Sequence, residues 1–183
     1  MMLAVLAADW GLLLTRAALA LVLGVLLLVW REPGPDDFVL VFGLYTLADG
    51  LAAGIVAFGA RGTDGAGSLF AEAAVRAGSG VLALAAPGLV LPALPILVGL
   101  WAALSGLAQI AVAAALRREL AGHWPIPVAA AFSLGFAIVC IVGQHAPLQL
   151  LAWEVAVYAL LFFAVLMAFA HRMWQLACEM AKA

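Results

Sequence analysis

Residues in this chain return at a spacing of 56, inside stretches of almost unbroken hydrophobic sequence. Gly24 returns as Gly80, Gly43 as Gly99, Gly50 as Gly106, and Tyr45 as Trp101. One segment reads Gly43-Leu-Tyr45-Thr-Leu-Ala-Asp49-Gly50, and its echo reads Gly99-Leu-Trp101-Ala-Ala-Leu-Ser105-Gly106. A fainter third copy has Gly135 for the first glycine and Ala156-Val-Tyr158 for the later motif. A period of this length belongs to a supersecondary unit stacked on copies of itself to bury a shared core. Here the unit reads as a pair of membrane-crossing helices, used three times.

The bilayer enters because the alternative fails. The chain is 68% hydrophobic and 10% charged, with a mean hydropathy of +1.22; soluble chains are about a quarter charged. At about 20 apolar residues per crossing, six spans use most of the 183 residues and leave no separate soluble domain. The expected fold is therefore all-α, a polytopic membrane six-helix bundle built from three two-helix hairpin repeats. The repeats are expected at 10–60, 68–118 and 124–172, followed by a cytoplasmic tail at 173–183.

Breakers and charges divide the apolar runs. Spans are expected at 9–30, 38–60, 69–86, 89–116, 124–143 and 148–170. The turn at 31–37 holds Pro33, Gly34 and Pro35; the linker at 61–67 reads as a flexible polar loop; Pro87-Gly88 closes the next hairpin. Pro92 and Pro95 kink or delay the start of the fourth span. Pro125 and Pro127 sit in the opening turn of the fifth, where a missing amide donor costs little. The sixth span continues into an amphipathic helix. The N-terminus has no basic n-region, and Arg16 interrupts its apolar run, so a cleaved signal peptide is not expected.

Loop charges set the orientation, counted on Lys and Arg alone. Arg61, Arg117, Arg118, Arg172 and Lys182 fall on one side; only Arg31 falls on the other, beside Glu32, Asp36 and Asp37. Both termini are expected in the cytoplasm. Cys140 and Cys178 then face opposite sides and form no disulfide. A net charge of -2 without a basic run argues against nucleic acid as a partner. The lipid bilayer is the expected partner, with a homo-oligomer or a larger membrane complex as further possibilities. Five tryptophans, at 10, 30, 124, 153 and 174, cluster near span ends as an interfacial belt does.

Glycines seven apart, at 43 and 50 and at 99 and 106, share a helix face, and Gly54 adds a GxxxG to Gly50. Small residues let backbones approach where lipid supplies no hydrophobic drive. Because Gly24, Gly43, Gly50, Gly80, Gly99 and Gly106 recur with the repeat, internal packing is the preferred reading over a dimer interface. Tyr45 and Asp49 lie on a different face, and their places are taken by Trp101 and Ser105, then by Tyr158 and Phe162.

Arg16, Asp49, Glu72, Arg76 and Glu154 fall inside spans, where an ionisable group marks function or a partner. Measured from the outer span ends at 1.5 Å per residue, Arg16 and Glu72 both lie at about 21 Å, and Asp49 and Arg76 at about 15 to 17 Å. Two buried pairs are expected, Arg16 with Glu72 and Asp49 with Arg76. They neutralise one another and lock the first three spans together. Alternatives are snorkelling of Arg16 and Glu72 to the interface, and a proton or ion route. His145 and Glu154 are candidates for a pH-sensitive pair near the outer surface. The three histidines do not converge on a metal site, and no catalytic triad, HExxH, CxxC or phosphate-cradling loop is present. The chain is expected to be non-enzymatic and to carry no cofactor.

The Pro-Gly turns at 33–34 and 87–88, the Gly-x-aromatic-x-x-x-(Asp/Ser)-Gly segments, and the basic end at Arg117-Arg118 resemble the HdeD-type bacterial acid-resistance membrane proteins over about residues 10–172. The resemblance implies an inner-membrane protein linked to acid or envelope stress, with no catalytic residue to carry over. The third copy departs from the pattern, since Phe162-Phe163 replaces the polar-Gly pair. Rival readings are an accessory subunit of a larger complex, which would expose small-residue faces, and a small proton or solute channel or transporter. A transporter would bring polar groups from several spans to a cavity, and the fourth and fifth spans read as almost entirely apolar.

Overall fold

In a computed structural model, residues 9–63, 65–116 and 125–180 are described. The helices are α1 (Trp10–Val29), α2 (Pro35–Gly59), α3 (Ala66–Ala85), a short α4 (Pro87–Val90), α5 (Leu94–Leu116), α6 (Pro125–Val142) and α7 (Leu148–Met180). The protein is an all-α membrane helical bundle. Five helical segments are long and apolar enough to cross a bilayer, with α4 and α5 counted as one, and α6 is a shorter apolar helix. Arg117, Arg118, His123, Trp124 and Lys182 lie outside the described residues.

Helix ends follow local chemistry. α2 opens with Pro35 after Gly34 and carries Asp36 and Asp37 in its first turn. Pro lacks only a donor that the first turn leaves unpaired, and the acids face the positive end of the helix dipole. In the linker at 61–67, expected to be flexible, residues 61–63 turn and Ala66 already opens α3; Gly62 and Gly65 adopt φ of +85° and +96°, a conformation that costs only glycine nothing. Thr63 bonds back to the Ala60 carbonyl through both its amide, at 3.1 Å, and its hydroxyl, at 2.7 Å.

Pro87-Gly88 is not itself the hairpin turn. Ala86 alone breaks the helix, and Pro87 starts α4. A 3-10 turn at Leu91–Ala93, containing Pro92, then hands over to α5. Of the tail expected at 173–183, the described part, as far as Met180, is the continuation of α7, which runs 33 residues without a break. At 1.5 Å per residue that is about 50 Å, longer than the hydrocarbon core of about 30 Å.

The helices form a closed ring of antiparallel neighbours whose contacts alternate between close and looser. The close pairs are α2 with α3, α5 with α6, and α7 with α1. They cross the boundaries of the expected hairpin units, because the glycines face the neighbouring unit. A Cβ on Gly50 would strike the Ala77 backbone, and one on Gly80 would come within 2.7 Å of Leu47 Cβ and 2.8 Å of the Gly43 carbonyl. Gly99 and Gly106 make the same approach to α6, at Ile141 and Leu134, and Gly24 meets Leu160 of α7. Gly54 has only ordinary contact with Ala73, at 3.9 Å. Gly135, read as the third copy of Gly24 and Gly80, is exposed with nothing near its Cβ direction. Ala137 holds the close approach instead, its carbonyl 3.2 Å from a Cβ on Gly99. The third copy therefore runs at a spacing of 57.

With that register, α2, α5 and α7 stack equivalent residues in layers at the centre. Phe42, Val98 and Val155 form one buried layer, and Tyr45, Trp101 and Tyr158 the next. Trp101 meets Phe42 and Tyr158 edge-on, at centroid distances of 5.3 and 5.6 Å. Beyond the polar layer described below, Val56, Val112 and Phe169 close the other end.

A candidate functional site: a polar layer in the middle of the bundle

Four charged side chains meet in this layer. Arg16 of α1 donates from Nε to Asp49 Oδ1 at 2.7 Å and from Nη2 to Glu72 Oε1 at 3.0 Å. Arg76 of α3 donates from Nη1 to Asp49 Oδ2, and from Nε to Glu72 Oε1 at 3.1 Å. The two pairs read from the sequence are both present, but each carboxylate also binds the other arginine. The result is one cyclic, neutral network. Asp49 and Arg76 are wholly inaccessible, and Arg16 and Glu72 are 6% exposed; this is burial rather than snorkelling.

Local structure makes the ring possible. Glu72 and Arg76 are one helical turn apart on α3, and the glycine contacts bring α2 close enough for Asp49 to reach Arg76. Separately, each charge would be prohibitive in hydrocarbon; together they offset one another through hydrogen bonds made at both ends. Arg76 also lies near Phe162, with Cζ 4.9 Å from the ring centroid, and near Trp101 at 5.9 Å. These contacts place its cation against aromatic faces.

A second, uncharged network adjoins the ring. Ser133 Oγ of α6 lies 2.9 Å from the Tyr158 hydroxyl of α7 and donates to Gln109 Oε1 of α5 at 3.4 Å. Ser105, Gln109 and Ser133 are all buried. The few polar residues of the fourth and fifth spans therefore point inward, which the reading of those spans as apolar missed. Their signal was the repeat itself: Ser133 holds the place of Arg76, and Ser105 that of Asp49.

The remaining candidates stay apart. His145 is exposed and makes no ion pair with Glu154 among the described residues. Glu154 instead lines an apolar groove between α6 and α7 with Trp153, Phe132 and Gly135. Cys140 and Cys178 are both free thiols. Trp10 and Trp174 share a cleft at one end of the bundle, while Trp30 and Trp153 lie toward the other. Among the described residues no group of three His, Cys, Asp or Glu side chains is placed to hold a metal ion.

Residues 15–78 and 71–142 each match the family described as a short repeat of unknown function, DUF308. The chain belongs to this family. No curated protein and no solved structure matches it. The two matched copies include every member of the charged ring, and also Ser105, Gln109 and Ser133.

Proposed function

We propose that this DUF308-repeat membrane protein is a non-enzymatic component of the bacterial inner membrane, of the HdeD type, acting in acid or envelope stress with both termini in the cytoplasm. One observation carries the reading. All four charges in the described bundle interior are engaged with one another, behind apolar layers at both ends. A general acid, base or nucleophile needs a group free to meet a substrate, whereas here each acid binds two cations. Such a core suits a structural element of the envelope whose buried charges lie away from acid outside.

The test is survival of a strain lacking the gene after acid shock, with wild-type protein and a Gly50→Leu variant supplied in trans. Loss of survival restored by the wild type alone supports the reading. Unchanged survival across acid and envelope stresses refutes it.

A second reading, as a subunit or homo-oligomer, is favoured by α3. Its exposed face carries Gly67, Ala71, Ala74 and Gly78, and it is the least hydrophobic of the spanning helices while only 33% of its apolar stretch is buried. Small-residue faces of this kind pack helices together in lipid. Native mass spectrometry from mild detergent separates a monomer from either assembly.

A further inference from the structure

Among the described residues, five buried polar atoms in and beside the central layer have no hydrogen-bond partner: Arg76 Nη2, Trp101 Nε1, Gln109 Nε2, Ser105 Oγ and the Tyr45 hydroxyl. Trp101, Ser105 and Gln109 stand one above another on a single face of α5, at successive four-residue steps. Arg76 faces this row, its Cζ lying 5.9 Å from the Trp101 ring. Tyr45 takes the repeat position of Trp101 on α2.

The inventory is one-sided. Arg, Trp and the Gln amide nitrogen only donate, while Ser and Tyr hydroxyls donate or accept. Both Asp49 oxygens are already engaged, as is Gln109 Oε1. Buried donors are almost always paired, and among the described residues these three nitrogens meet no acceptor, so an acceptor from outside the chain fits the cluster. Its charge is also constrained. Two arginines already balance two carboxylates, and a further unpaired charge would carry the full desolvation cost.

We propose that the cluster is a binding site for ordered water, held by Arg76, Trp101 and Gln109 as donors and by Ser105 as the group that accepts in return. A buried water typically makes about three such bonds. The water joins the charged ring to the Gln109–Ser133–Tyr158 network, so that the polar layer draws on α1, α2, α3, α5, α6 and α7. Phe42, Val98 and Val155 on one side, and Val56, Val112 and Phe169 on the other, seal it. The water is therefore enclosed within the bundle and is not part of a pore.

The test uses the full chain in lipid bilayers. Solid-state NMR transfer of magnetisation from water protons is read at the Trp101 indole and the Gln109 side-chain amide, with the Val98 amide as a dry reference. Transfer several times that at Val98 is expected; equal, negligible transfer overturns the proposal. In the same bilayers, Ser105→Ala should raise the unfolded-to-folded ratio about fivefold, as loss of one hydrogen bond does. A neutral or stabilising Ser105→Ala, the result for a hydroxyl that bonds nothing, overturns it as well. Exchanging chloride for gluconate should leave the melting temperature unchanged. A shift would assign the donors to an anion and refute water as the guest.

Discussion

Replacing Arg76 by Met removes a guanidinium and keeps an apolar side chain of similar length. The variant loses two charge-assisted hydrogen bonds, to Asp49 Oδ2 and Glu72 Oε1. Each such bond contributes about 1.5 to 3 kcal/mol. Two carboxylates then share Arg16 alone, and the ring carries a net charge of -1 at full burial. Breaking a buried ion pair from one side costs about 3 to 5 kcal/mol, and that is the expected destabilisation. Arg76→Met combined with Asp49→Asn leaves a neutral Arg16–Glu72 pair at 3.0 Å. The double variant should therefore be no less stable than Arg76→Met alone, with a coupling energy of about 2 to 3 kcal/mol between the two sites. The assay is reversible unfolding in mixed micelles or bicelles, run as a double-mutant cycle. Additive costs, or an Arg76→Met loss below about 1 kcal/mol, would refute the claim that these charges stabilise one another.

Three further expectations follow from the packing and the topology. Gly50→Ala and Gly80→Ala force a Cβ into the facing helix and should each cost about 1 to 3 kcal/mol, whereas Gly135→Ala and Gly78→Ala, which meet nothing within 4 Å, should be neutral or slightly stabilising in the same unfolding assay. Tyr158→Phe leaves Ser133 with Gln109 as its one partner and should cost about 0.6 kcal/mol, the usual worth of an interhelical hydrogen bond in lipid; a loss of several kcal/mol would mean that the hydroxyl has a larger role. Single cysteines at Glu32 and at Thr63, on a background lacking Cys140 and Cys178, should react with an impermeant thiol reagent from opposite sides of the membrane, the first from outside; labelling from one side would contradict the topology.

The helical class and the membrane were legible because composition and span length leave few other solutions. The charge partners were legible because equal depth brought Asp49 opposite Arg76 and Arg16 opposite Glu72, the latter two also standing 56 residues apart. Their union into one ring was not, since depth estimates say nothing of how far two helices are rotated toward each other. Hairpin connectivity alone does not say which neighbouring spans pack most closely. The glycines decide it: Gly43, Gly50 and Gly80 join α2 to α3 across a unit boundary. Gln109 and Ser133 stayed hidden because single polar residues barely change the hydropathy of an apolar run. Their common direction emerges only when the third copy is set at a spacing of 57, and Gly135 concealed that register by standing two residues before Ala137.

Nitrogen–carbon dipolar recoupling between guanidinium nitrogens and carboxyl carbons, on labelled protein in bilayers, reads the central network directly. Contacts from Arg16 and from Arg76 to both Asp49 and Glu72 are expected, four in all. Two isolated pairs, or an Arg76 side chain with no carboxyl partner, would contradict the account.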